Sequence, residues 1–465
     1  MSRPNSFWLV ASVVVVCLMV VLTGWADSHV RMVRLSSVEG DVVVDRDIGQ
    51  GYEKAFLNLP ITEGTKLQTK DDGRAEVEFE DGSTVRITPD TVISFLQLTM
   101  EDSGGKTSTI HVQEGTAYIS FLASKGDQLK LTFGKETVSF TRAAHLRLEM
   151  GDAEATLSVF KGDIEVAGTF GKTDVASRQS LTFDLADQSR YTLAKDLEQD
   201  PYDSWDKQAL AYQQRYATNP SYNGFSPYTY GTSDLNYYGS FSNIAGYGWM
   251  WQPYFVGAGW DPFMNGAWAF YPGFGYSWVS GYPWGWTPYN SGAWMFLPGY
   301  GWMWQSGGWG GLGMFPTIIN PPLGYVSPRP PNIPAQHLVE VNRGPLPNSV
   351  NPGKLTIANN SAGLGIPRGG LRNLPKDSEN VQQHGFISAK VHNASLPTTN
   401  WWGGFGQTSV PGRSAGNGGW RGTSGTSMSS GHTSGFSGGH YGGFSGGHSS
   451  GGFSGGHGGG GGGHR

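Results

Sequence analysis

Thr65–Thr91 reads TKLQTKDDGRAEVEFEDGSTVRITPDT, and its alternation decides the fold class. Ala75, Val77 and Phe79 alternate with Glu76, Glu78 and Glu80, Asp81-Gly82 supplies a tight turn, and Val85 and Ile87 resume the apolar pattern. A period of two sends successive side chains to opposite faces of an extended chain, so the stretch predicts a hairpin with one buried face. The three glutamates fall on the other face and read as a solvated strand surface. Paired catalytic carboxylates would need a concave, desolvating site that this spacing does not imply.

Similar punctuation recurs at Glu39-Gly40-Asp41, Asp72-Gly73, Glu114-Gly115 and Lys161-Gly162-Asp163, mostly followed by apolar runs such as VVV, AYISFL and IEV. Short strands with turns at this density, from Val33 to about Val166, predict an all-β sandwich or coiled meander. His111 and His145 stand alone in strand contexts, without a partner at ligand spacing, and read as ordinary surface or core histidines.

The order VEGDVVV (from Val38), EGTKLQTKDDGRAEVEFEDGSTVRITPDT (from Glu63), VQEGTAYISF (from Val112), ETVSFTRAAHLRLEM (from Glu136) and LSVFKGDIEV (from Leu157) resembles a FecR-type domain. That family is the β-rich extracytoplasmic part of bacterial envelope signalling proteins, and the resemblance places a FecR-like β domain at 33–190. Ala144-His145 departs from it, standing where a Gly-Thr pair is expected. In regulatory members a cytoplasmic N-terminal region holds a sigma factor and the periplasmic part senses an outer-membrane receptor. Here six residues precede the first apolar run, so the resemblance implies the fold and an exported binding role without transcriptional control.

That apolar run, Phe7–Leu22, is followed by Gly24 and Ala26 at cleavage-site spacing, so residues 1–26 read as a signal peptide or an N-terminal membrane anchor. Its sixteen residues are long for a signal core and short of the roughly twenty that span a bilayer, which leaves both open. Membrane contact is expected only through residues 7–25, if they are retained. Either outcome implies export to the periplasm, the cell surface or the medium. The single cysteine, Cys17, lies inside this run, so the exported part must be held by burial and hydrogen bonding. Among 465 residues 15% are charged, with a formal net charge of -5, and no basic field suggests nucleic acid.

Residues 194–236 form a polar connector with a short helix, N-capped by Asp203 or Ser204, whose Trp205, Leu210 and Tyr212 can dock on one side. Composition then shifts sharply. Between 237 and 313 lie eleven of the seventeen tryptophans, and the only charged residue is Asp261. GSFSNIAGYGWMWQP from Gly239, GAWAFYPGFGYSWVS from Gly266 and GAWMFLPGYGWMWQS from Gly292 are three copies of one unit, alternating with GWDPF from Gly259 and GWTPY from Gly285. Each copy parses as strand, turn, strand. In the third, Trp294 and Phe296 meet Trp302 and Trp304 across the turn Pro298-Gly299-Tyr300-Gly301. Each hairpin is expected to bury its face against the next. The segment resembles an uncharacterised Trp/Tyr/Gly/Pro-rich repeat module that follows FecR-type domains in exported bacterial proteins, a resemblance that supplies no activity.

Three readings of these aromatics compete. They form the core, since the module has little else to bury and each ring removes roughly 150 to 250 Å² from water. Alternatively some line an open face and stack on glycan, the candidates being Trp249, Trp251, Trp260, Trp268, Trp278, Trp284, Trp286, Trp294, Trp302 and Trp304. Or they contact protein or a membrane interface. With Asp261 as the module's sole carboxylate, catalysis is not expected there.

Residues 314–336 read as a Pro-rich linker, 337–394 as a weakly structured segment with one or two strands in HLVEVN and KLTIANN, and 395–465 as a disordered Gly/Ser/His-rich tail. The tail repeats FSGGH three times and carries His432, His440, His448, His457 and His464 at irregular spacings. Such a chain could wrap a metal ion through several imidazoles or make weak multivalent contacts. The sequence as a whole predicts a non-enzymatic exported envelope protein, an interaction or scaffold module that needs no cofactor, whose partners are other envelope proteins or polysaccharide. The alternatives are binding of cell-wall or exopolysaccharide glycan and a FecR-type signalling component lacking the sigma-binding region.

Overall fold

The computed structural model describes residues 30–140, 142–187, 190–217, 228–332, 337–344, 349–351 and 354–391. The expected signal or anchor at 1–26 and the expected tail at 395–465, with its five histidines, lie outside the described residues. Among those described, no helix is long and apolar enough to cross a membrane.

The fold is all-β with a few short helices, and its first half is built around one long strand, Lys106–Phe121. Residues up to Glu114 pair with Val92–Met100 and run parallel to Gln128–Phe133. From Gly115 onward the same strand pairs with Thr84–Ile87 and Ala144–Met150, so it passes from one sheet into a second. The switch needs a glycine. Gly115 has φ +86°, and a Cβ there would sit 2.3 Å from Thr91 Oγ1. Alternate residues of both sheets, among them Leu35, Val77, Ile87, Phe95, Ile110, Ile119, Leu131 and Leu157, close one aliphatic core. The hairpin of Arg74–Glu78 and Thr84–Ile87 forms in the expected register, Val77 opposite Val85.

The three aromatic repeats are three hairpins. Their pairs include Phe241 with Trp251, Trp268 with Trp278, Trp294 with Trp304 and Phe296 with Trp302. They do not stack in series. The first and third join edge to edge through Trp251 and Trp304, while the second pairs with Val339–Asn342 in a separate sheet. The second hairpin is committed elsewhere: Trp268 and Trp278 enter the aromatic core, and Ala267, Ala269, Tyr271 and Val279 enter the aliphatic core of the first half. Two alanines on that face let the backbone lie close to the sandwich. Tyr271 Oη donates to Pro60 O at 2.6 Å, and Asn58 Nδ2 donates to Ser280 O and Tyr282 O.

Residues 354–391, expected to be weakly structured, are instead part of the core. Strands Lys354–Ala358 and Phe386–Lys390 pair, with helix Leu374–His384 before the second. Leu355, Ile357, Leu364, Ile366, Leu371, Leu374 and Val381 pack in the same cluster as the tryptophans. The reason is chemical complementarity: buried Trp and Tyr need acceptors for their polar edges. The turn-rich loop between these elements supplies carbonyls to Trp284 Nε1 (from Ala362, 2.7 Å), Tyr238 Oη (Ile366, 2.7 Å) and Tyr237 Oη (Leu371, 3.1 Å). Part of the expected linker is also built in, Thr317–Ile319 running parallel to Ala293–Met295. The described residues of both halves belong to one compact unit.

Candidate functional site

Three strands of the first half carry an arginine between two core aliphatics: Val33-Arg34-Leu35, Val85-Arg86-Ile87 and Leu146-Arg147-Leu148. Period two sends each arginine to the outer face of its sheet, together with Glu76 and Glu78. Register then sets Arg34 opposite Glu78 and Arg86 opposite Glu76. This face is not solvated, and the sequence expectation for Glu76, Glu78 and Glu80 is corrected here: all three are buried. The connector helix Asp203–Tyr216, the short helix Thr232–Tyr238 and the loop around Arg368 cover the outer face.

The covering elements bring their own charges. Arg86 donates to Glu76 at 2.7 Å, to Asp206 at 3.0 Å and to Gln213 at 3.0 Å. Arg34 lies 3.1 Å from Glu78 and 2.7 Å from Asp234, and donates to Asn58 and Pro283 O. Arg368, from the loop that also clamps the aromatic core, donates to Glu76 at 2.8 Å, to both oxygens of Asp234 and to Ser36 O. Glu76 further accepts from Ser36 Oγ, and Asp234 from Tyr212 Oη. At the margins Arg31 grips Glu80 through two bonds, and Arg147 meets Asp203 and Glu149. His145, read as an isolated histidine, has its Nε2 2.9 Å from Asp206.

Burial and charge act on the two central glutamates with opposite results. Burial alone would raise the Glu76 carboxyl, but Arg86 and Arg368 outweigh it and hold the group down at about 2. Burial pushes Glu78 up to about 7, with Asp234 and Glu76 adding to it and Arg34 only partly compensating.

The ten tryptophans named as ligand candidates divide unevenly. Trp251, Trp260, Trp268, Trp278, Trp284, Trp286, Trp294, Trp302 and Trp304 are buried. Trp284 lies within ring contact of Trp251, Trp260 and Trp294 and stacks flat on Tyr282, centroids 5.0 Å apart. Trp249 is 40% exposed, and the hairpin-turn residues Tyr247 and Tyr300 are 42% and 56% exposed. These three rings are the exposed large aromatics among the described residues of the three hairpins. Sequence reasoning passed over the arginine-centred triplets; each places a guanidinium on a strand face otherwise assigned to water.

The architecture is that of a β-sandwich domain joined to an aromatic module through a charged seam. Residues 65–165 match the FecR protein family, and residues 232–319 match a family of unknown function (DUF6600). The chain thus carries a FecR domain with a DUF6600 region downstream. It is also similar to two crystal structures of a "putative anti-sigma factor from Parabacteroides distasonis", with 14% and 12% identity and TM-scores of 0.25. The similarity covers 31% and 32% of this chain and spans 64% and 63% of the length of those proteins. No curated protein matches the chain.

Proposed function

We propose that this chain is a non-enzymatic interaction protein of the bacterial envelope, in which the FecR domain and the DUF6600 region work as one rigid body. The observation that carries this reading is the charged seam: Arg34, Arg86 and Arg368 each bridge carboxylates from the FecR half to carboxylates of the covering elements. A surface spent on joining two modules in this way fixes their relative geometry, as a scaffold requires. The FecR family match supports an envelope setting and a role beside other envelope proteins.

Photocrosslinking in the native host tests this, with a benzophenone amino acid placed at exposed positions Leu193, Tyr300 or Phe386. Discrete protein adducts are expected from at least one position; none from any of the three would count against a protein-binding role. A second reading, glycan binding, is favoured by one observation: Trp249, Tyr247 and Tyr300 are large rings left open in a module whose only charged residue from 237 to 313 is Asp261. Retention on a cell-wall polysaccharide column that Trp249→Ala abolishes would support it, and equal retention of the variant would remove it.

A further inference from the structure

In the seam four carboxylates, Glu76, Glu78, Asp206 and Asp234, share three guanidiniums, Arg34, Arg86 and Arg368. A buried cluster one cation short of balance holds an uncompensated charge in a low-dielectric setting unless a proton supplies the difference. The contacts show where the shortage falls. Glu76 accepts from two arginines and Ser36. Asp234 is held by Arg34, by Arg368 through both oxygens, and by Tyr212. Asp206 has Arg86 and the His145 imidazole. Glu78 has the Gly231 N–H at 3.1 Å and one cation, Arg34, which is 3.1 Å away and closer to Asp234 at 2.7 Å.

We propose that the seam is a proton-operated latch: Glu78 carries the missing proton when the two halves are tightly docked, and its loss loosens the contact between strand Arg74–Glu78 and helix Thr232–Tyr238. The groups acting on Glu78 come from each packed element: Arg34 from the neighbouring strand, Asp234 from the covering helix, Arg368 from the clamping loop and Glu76 from its own strand. Burial in that company lifts the carboxyl to about 7, so the latch opens across neutral pH. An envelope protein whose surroundings set its pH would thereby report alkalinity as a change in docking.

The sign follows from linkage. Between the ordinary carboxyl value of 4.5 and about 7 the native state keeps a proton that the unfolded state has lost, so stability falls as pH rises through that window. Glu78→Gln keeps the shape and neutrality of the protonated group. In the full chain the wild-type folding constant should fall about tenfold more per pH unit than that of E78Q across the window. Hydrogen exchange at residues 232–238, corrected for the intrinsic pH effect, should accelerate from about pH 5.5 to about pH 8 in the wild type and not in E78Q. Equal slopes and equal exchange in the two proteins overturn the proposal. If E78Q does not fold, infrared difference spectra of the wild type still decide. A protonated carboxyl band lost between those two pH values is expected, and absence of any such band overturns the latch. His145→Gln is the control: if it removes the pH response while E78Q retains it, the assignment to Glu78 is wrong.

Discussion

The FecR half and the aromatic half bury their interiors with different materials. The first packs Val, Leu and Ile between two sheets and carries its charges on an outer strand face. The second has a core of tryptophan and tyrosine and almost no charge. What joins them uses both vocabularies. The second hairpin lays alanines on the aliphatic core and tryptophans in the aromatic one, and the outer charged face of the sandwich becomes an interior seam. The contrast teaches that alternation identifies the two faces of a strand without saying which of them meets water.

The sharpest way to break this comparison is to remove a central ring. Trp284 is fully buried and bonded to the clamping loop at Ala362. Trp284→Ala should cost about 3–5 kcal/mol, read as a lowered urea midpoint with loss of near-ultraviolet dichroism. A cost below about 1 kcal/mol would mean the aromatic core is not a core.

Next in size is Arg368→Met, which leaves Glu76 and Asp234 short of a cation and should cost about 3 kcal/mol in the same measurement. Lys172→Met, which removes the exposed pair with Glu165, should leave the urea midpoint unchanged. Comparable effects from the two substitutions would show that the seam is no more demanding than a surface ion pair.

The pH profile sharpens the same point. Glu76 is held down at about 2 from an ordinary 4.5, so its contribution is present above 4.5 and disappears as pH falls toward 2. Glu78 is raised to about 7, so its stabilisation is full below 4.5 and disappears as pH rises toward 7. Together they place a stability maximum in the mildly acidic range, and denaturation followed against pH should show a decline on both sides. A profile that climbs steadily from acid to neutral would contradict the opposed shifts. Trp249→Ala should have a small effect, within about 1 kcal/mol, because that ring is partly in water. A loss above about 2 kcal/mol would move Trp249 into the core.

Much of the fold was legible because local chemistry determines it. Asp81-Gly82 between Val77 and Val85 defines a hairpin without tertiary help, and the aromatic repeats defined three more. Partners were not legible. Nothing local tells the second hairpin to leave its siblings and sit on the sandwich, since that choice rests on Ala267 and Ala269 meeting a surface built from residues far away in the chain. The loop 359–371 looks like a Gly-rich connector, and its role depends on carbonyls, which every sequence possesses. Of the site, the arginines of VRL, VRI and LRL were the available signal. A guanidinium flanked by core aliphatics must emerge on the opposite face, and three such residues on alternate strands of one sheet mark a surface suited to acidic partners. Here those partners are Asp203, Asp206 and Asp234 of the same chain.

Native-state hydrogen exchange of the full chain, followed through increasing denaturant, tests most directly whether the two halves are one body. Amides of the sandwich strand Ala144–Met150 and of the third aromatic hairpin, Ser291–Leu297 with Gly301–Trp309, should open with the same free energy and the same denaturant dependence. Opening of the aromatic hairpin at lower denaturant, while the sandwich stays protected, would show two separable modules and contradict the account.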